Sequence, residues 1–158
     1  MNGSIILRYQ ILKKKLLRFR IFESLIISTR IKQTRRFTEK ALLYPSTRNY
    51  DGKKYSLGII GESSFFKYML NGYVFKGLYL NPLNIFKEVH YFQKYPAFRK
   101  KIEIGYPLFI HEYNTPEDIV NICNEFRIDI VRGYDSDSGQ IAIQVANELN
   151  IKSVVSLH

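Results

Sequence analysis

The chain is nearly without cysteine: Cys123 stands alone among 158 residues, which excludes an internal disulfide and any fold that depends on one. It falls on the apolar face of a predicted helix, and no neighbouring residue pattern would lower its pKa, so it reads as a buried structural thiol suited to a reducing compartment. Long uncharged apolar runs are missing too. None approaches the roughly 20 residues of a membrane-spanning helix, and charges interrupt every stretch that could serve as a secretory signal. Neither GxGxxG nor GxxxxGK[ST] occurs, so no dinucleotide fingerprint or P-loop is present. No second His or Cys stands at metal spacing from His90, which reads as a packed strand residue; no metal and no cofactor is expected.

What the chain does have is apolar content of 46% and aromatic content of 15%, the balance of a globular protein. Its charge is lopsided. Residues 1 to 54 hold 14 Lys+Arg against 3 Asp+Glu, while residues 55 to 158 hold 10 against 11; the formal +10 is therefore +11 in an arm and −1 in the remainder. A basic nucleic-acid-binding domain is disfavoured by that near-neutral remainder. Within the arm, Ile5, Tyr9, Leu12, Leu16, Phe19, Phe22 and Ile26 trace one face of a long helix, with Lys13, Lys14, Lys15, Arg18 and Arg20 on its flanks. Such a segment lies as a helix on an anionic membrane surface, packs on its own domain, or is a poorly ordered extension. Residues 45 to 54 are rich in turn formers and read as a linker.

A domain is expected from Tyr55. Residues 55 to 61 form an apolar strand ending at Gly61, followed by Glu62, Ser63 and Ser64, and then Asn71-Gly72. A glycine ending a first strand, with small polar residues behind it, lets backbone amides approach a phosphate or sugar; a plain turn is the other reading. Residues 73 to 80 suit a short helix ended by Asn81-Pro82, residues 86 to 92 a second strand, and residues 102 to 110, with Gly105 and Pro107, an edge strand or an irregular extended segment. Thr115-Pro116-Glu117-Asp118 is a helix start, with Ile119, Ile122, Cys123 and Phe126 as its buried stripe.

The most sharply marked unit is the last one. Ile128, Ile130 and Val131 make a strand that stops at Arg132-Gly133-Tyr134-Asp135; Asp135 to Ser138 offer N-caps; Ile141, Ala142, Val145, Ala146 and Leu149 form one helical stripe. Asn150 suits a left-handed helix end, and residues 152 to 157 a closing strand. Strands joined through a helix lie parallel, and ligands bind beyond their carboxyl ends, which points at Arg132, Tyr134, Asp135 and His158. Arg132 has two readings, pairing with a ligand's phosphate or carboxylate or a surface ion pair with Asp135 or Asp137.

The run Asp129 to Asp135, then Ser138-Gly139, Asn150-Ile151 and Val154 to His158, resembles the N-terminal domain of family 4 glycosyltransferases of the GT-B class, and residues 80 to 90 loosely resemble its first-helix and second-strand region. The resemblance covers residues 55 to 158. It implies an α/β, Rossmann-like parallel sheet with helices on both faces, preceded by the basic helical arm. It also implies transfer of a sugar from a nucleotide-sugar donor to an acceptor held here, with Arg132, Tyr134, Asp135, His158, Gly61, Glu62 and Gly72 lining the cleft. Many members carry His where this chain has Arg132-Gly133-Tyr134, and members carry a second domain that binds most of the donor. The expectation is thus an N-terminal portion, inactive alone, that is cytoplasmic and peripheral at the inner face of a membrane. A flavodoxin-like binding module shares the βαβ order and stands as the alternative; a receiver would need an acidic cluster that Glu62 alone does not supply.

Overall fold

The computed structural model describes residues 55–61, 63–70, 86–97, 100–103 and 107–156, with five isolated positions in the arm. Those five, Ser24, Leu25, Ser28, Thr29 and Lys32, are helical, and Thr29 donates from Oγ1 to the Leu25 carbonyl at 2.9 Å. The rest of the arm and linker, the helix expected over 73 to 80, and Glu62, Gly72 and His158 lie outside the described residues.

Six strands and three helices follow in the order β1 (Tyr55–Ile60), α1 (Phe65–Leu70), β2 (Phe86–Gln93), β3 (Lys101–Glu103), β4 (Pro107–Glu112), α2 (Pro116–Phe126), β5 (Ile130–Gly133), α3 (Ser136–Leu149) and β6 (Lys152–Val155). They build one α/β sheet in the spatial order β3-β4-β2-β1-β5-β6. β1 lies at its centre, parallel to β2 on one side and to β5 on the other. β5 and β6 are parallel neighbours, as the terminal unit predicts, with Arg132 opposite Val154.

The sheet is mixed, which corrects the expectation of a parallel one. The expected edge strand over 102 to 110 is two strands, β3 and β4, and β3 runs antiparallel, Ile102 facing Leu108. A connection as short as residues 104 to 106 can only return the chain antiparallel, since a parallel neighbour needs a crossover of about a dozen residues. A second departure is α1. Ser63 and Ser64, read as part of a loop, lead into a helix whose first amide, Phe65 N, donates to Gln93 Oε1 at 2.7 Å, and whose Phe65 and Met69 reach the core.

Side chains alternate between two cores. Leu57, Ile59, Val89, Tyr91, Leu108 and Ile110 join Phe65 and Met69 on one face; Ile60, Phe92 and Val131 join the buried stripes of α2 and α3 on the other. Residues 56–60 of β1 are buried on both faces, so β1 reads as a continuous apolar run instead of alternating. Its one buried polar residue, Ser56, is tied on both sides: its amide donates to Asp129 Oδ2 at 2.7 Å and its hydroxyl to Glu88 Oε1 at 2.6 Å. Both later helices are fixed by the caps their sequences announce. Thr115 and Asp118 form a reciprocal capping box on α2, and Asn150 ends α3 at φ 54°.

Candidate functional site

Read outward from β1, successive strands go to one side (β2, then β4) and afterwards to the other (β5, then β6), so the chain changes direction between β1 and β5. β1 leads to α1 on one face of the sheet and β5 to α3 on the other, and the crevice expected where such connections diverge is the place where open α/β sheets bind ligands. Gly61 and Ser63 border it from β1; Arg132, Tyr134 and Asp135 border it from β5; Ser156 borders it from β6.

The β1 side is pinned from below. Gly61 N donates to the Phe92 carbonyl at 3.0 Å, and a Cβ on Gly61 would overlap the Tyr91 phenol. That close approach lets Tyr91 Oη donate to the Ser63 carbonyl at 2.6 Å. Tyr91 is fully buried, and burial pushes its phenol pKa far up, so it stays a donor.

On the β5 side, Arg132 Nη2 donates to Ser156 Oγ at 2.8 Å, and the guanidinium carbon sits 4.7 Å from the centre of the Tyr134 ring, within cation–π range. Arg132 Nε and Tyr134 Oη are both shielded from water, and neither has a hydrogen-bond partner. Burial pushes the Tyr134 phenol pKa up, against the opposing pull of Arg132.

Asp135 is the N-cap of α3. Its Oδ1 accepts from Ser138 N at 2.7 Å and from Ser138 Oγ at 2.8 Å, and Ser138 Oγ in turn accepts from Tyr134 N at 2.8 Å. The carboxylate therefore already covers the positive end of the helix. Gly133 makes this possible, because a Cβ there would collide with the Ser138–Gly139 backbone.

Of the residues singled out from sequence, Arg132 and Tyr134 are in contact, Gly61 follows the end of the neighbouring strand β1, and Asp135 is turned to its cap. The ion pair between Arg132 and Asp135 or Asp137 does not form; the ion pair found among the described residues joins Lys87 to Glu88. Ser156, the hydroxyl that holds Arg132, was not among the candidates. It stands two residues beyond Val154, the register partner of Arg132, so strand alternation alone would have placed it on the Arg132 side of β6.

A second polar cluster lies within the sheet. His90 on β2, fully buried, reaches His111 on β4, with His90 Nδ1 2.9 Å from His111 Nε2. His90 stacks on Phe109 at 4.8 Å, and Phe126 of α2 covers both imidazoles. Burial lowers both pKa values to about 4, so both rings are neutral. His111 Nε2–H then donates to His90 Nδ1, and His90 Nε2–H faces Glu88 Oε1 at 3.7 Å, an electrostatic contact too long for a hydrogen bond. Among the described residues no three His, Cys, Asp or Glu side chains are grouped to hold a metal. Cys123 is buried on α2, its thiol pushed up to about 12.

No protein-family model, curated protein or solved structure matches the chain.

Proposed function

We propose that residues 55 to 158 are the acceptor-side, Rossmann-like domain of a GT-B sugar transferase, acting with a nucleotide-sugar donor held by a second domain. The observation that carries this reading is Arg132: a half-buried guanidinium at the direction change of the sheet, without a carboxylate partner among the described residues. The strand order adds support. With the edge strand β3 set aside, the parallel strands run third, second, first, fourth, fifth, the dinucleotide-fold order and not the flavodoxin-like one.

Sugar transfer needs the departing nucleotide diphosphate to be held and its developing charge stabilised. It also needs water excluded and the acceptor aligned, which two closing domains accomplish together. In this reading the described sheet supplies the acceptor wall: the Gly61 turn, the Tyr134 face and the Arg132 charge. The basic arm keeps the protein at an anionic inner membrane surface on the cytoplasmic side.

Purified 158-residue chain, offered a panel of nucleotide sugars labelled in the sugar, is expected to transfer none. Fusion to the donor-binding domain of a family 4 enzyme is expected to give turnover that Arg132→Ala lowers about tenfold or more. Robust transfer by the chain alone would overturn this assignment of roles, as would an active fusion indifferent to Arg132→Ala.

A further inference from the structure

We infer that Arg132, with Tyr134 and Ser156 beside it, seats a phosphate group of the ligand at the carboxyl ends of β5 and β6. The inference deepens the transferase reading and rests on it for its place in a reaction.

The first argument is charge. Guanidinium is never deprotonated in proteins, and a partly desolvated cation is stable only when something compensates it. Here Ser156 Oγ, a neutral acceptor, takes Nη2 at 2.8 Å, and the Tyr134 ring takes one face. No carboxylate lies within ion-pair distance among the described residues. Asp135, three residues along the chain, already gives its carboxylate to Ser138.

The second argument is geometry. With the ring beneath it at cation–π distance, the guanidinium can donate from its N–H edge to ligand oxygens, a planar fork that suits phosphate and that lysine cannot copy. Arg132 Nε and Tyr134 Oη are shielded donors without protein partners. Two such donors in adjoining, half-buried side chains are a costly accident in a folded protein unless a ligand completes them. A carboxylate has two oxygens, which the fork alone would satisfy. Phosphate offers a further oxygen for the phenol, which stays protonated because burial pushes its pKa up.

The phosphate has two possible sources, the diphosphate of the donor nucleotide or a phosphorylated acceptor. Titration of the ¹⁵N-labelled full chain, read at the Arg132 Nε–H resonance and the Tyr134 and Ser156 amides, separates them. Inorganic phosphate, uridine diphosphate and glucose 6-phosphate are each expected to shift these signals saturably, and uridine and glucose are expected not to. Tighter binding of uridine diphosphate assigns the site to the donor; tighter binding of glucose 6-phosphate assigns it to the acceptor.

Arg132→Gln is expected to weaken every phosphate titrant about tenfold or more. Arg132→Lys, which keeps the charge and loses the fork, should fall between the two, and Tyr134→Phe should weaken binding about threefold. An Arg132→Gln chain with an intact amide spectrum that binds phosphate as the parent does would overturn the inference. So would shifts by glucose alone. If no phosphate titrant binds and the fusion enzyme still transfers sugar, the phosphate seat falls and the transferase reading stands. Phosphate binding through Arg132 beside an inert fusion gives the reverse.

Discussion

At the scale of single residues, the buried histidine pair makes the sharpest statement about stability. Folded His90 and His111 titrate near 4, lowered chiefly by burial; Glu88 opposes the shift at His90, Lys87 adds to it there, and Lys100 adds to it at His111. In the unfolded chain both would titrate near 6.5, so the unfolded state takes up protons first as the medium is acidified. The contribution is therefore whole above pH 6.5 and is lost as pH falls from there towards 4. The loss should be on the order of 3 kcal/mol for each ring, about 6 kcal/mol for the pair. Urea midpoints measured across that window check it, and His90→Phe with His111→Phe should flatten the curve. A parent curve already flat between pH 6.5 and 4 would sink the idea. Asp118, whose carboxyl is held below its ordinary 3.8 by the Asn114 and Thr115 amides, acts only at lower pH and does not blur the result.

At the scale of elements, Asp135 separates a structural from a ligand-binding role. As the N-cap of α3 it holds both Ser138 N and Ser138 Oγ, so Asp135→Ala should lower stability by about 1–2 kcal/mol, with Asp135→Asn recovering most of that. A urea midpoint unchanged in the alanine variant, at constant slope, would return Asp135 to the list of ligand contacts. This helix was legible in the sequence because its signals are local: a cap, a stripe at helical period and an asparagine that tolerates positive φ all lie within the element. The same holds for α2, whose Thr115 and Asp118 box closes within four residues. What could not be read is what long-range pairing decides. His90 and His111 are 21 residues apart and meet only because β2 and β4 are parallel neighbours. α1 escaped because one of the groups fixing its start, Gln93, belongs to another strand. At the crevice, the Arg132 end was visible as a strand stop, whereas its partner Ser156 follows from the β5–β6 register.

At the scale of the whole molecule, the question is whether a formal charge of +10 acts as a diffuse field or through one segment. A diffuse charge would draw the protein to any anionic surface by any face. Among the described residues no helix is long and apolar enough to cross a membrane; the attachment proposed above is to a surface and depends on where cations and apolar side chains coincide. In the sequence they coincide in residues 5 to 26, where the expected apolar face is flanked by Lys13, Lys14, Lys15 and Arg18. Near an anionic leaflet each such cation contributes about 1 kcal/mol, screened beyond roughly 8 Å at physiological salt. The domain's own exposed cations, such as Lys67, Lys94, Lys101 and Lys152, are balanced by acids, 10 Lys+Arg against 11 Asp+Glu over residues 55 to 158. Sedimentation with vesicles containing phosphatidylserine should therefore carry the chain down at low salt and release it as salt rises. Replacing Lys13, Lys14, Lys15 and Arg18 by Gln should abolish this, while replacing Lys67, Lys94, Lys101 and Lys152 by Gln should leave it nearly unchanged. The two sets remove the same formal charge, so equal losses would show that net charge and not the arm does the binding, and equal sedimentation with uncharged vesicles would show that neither does.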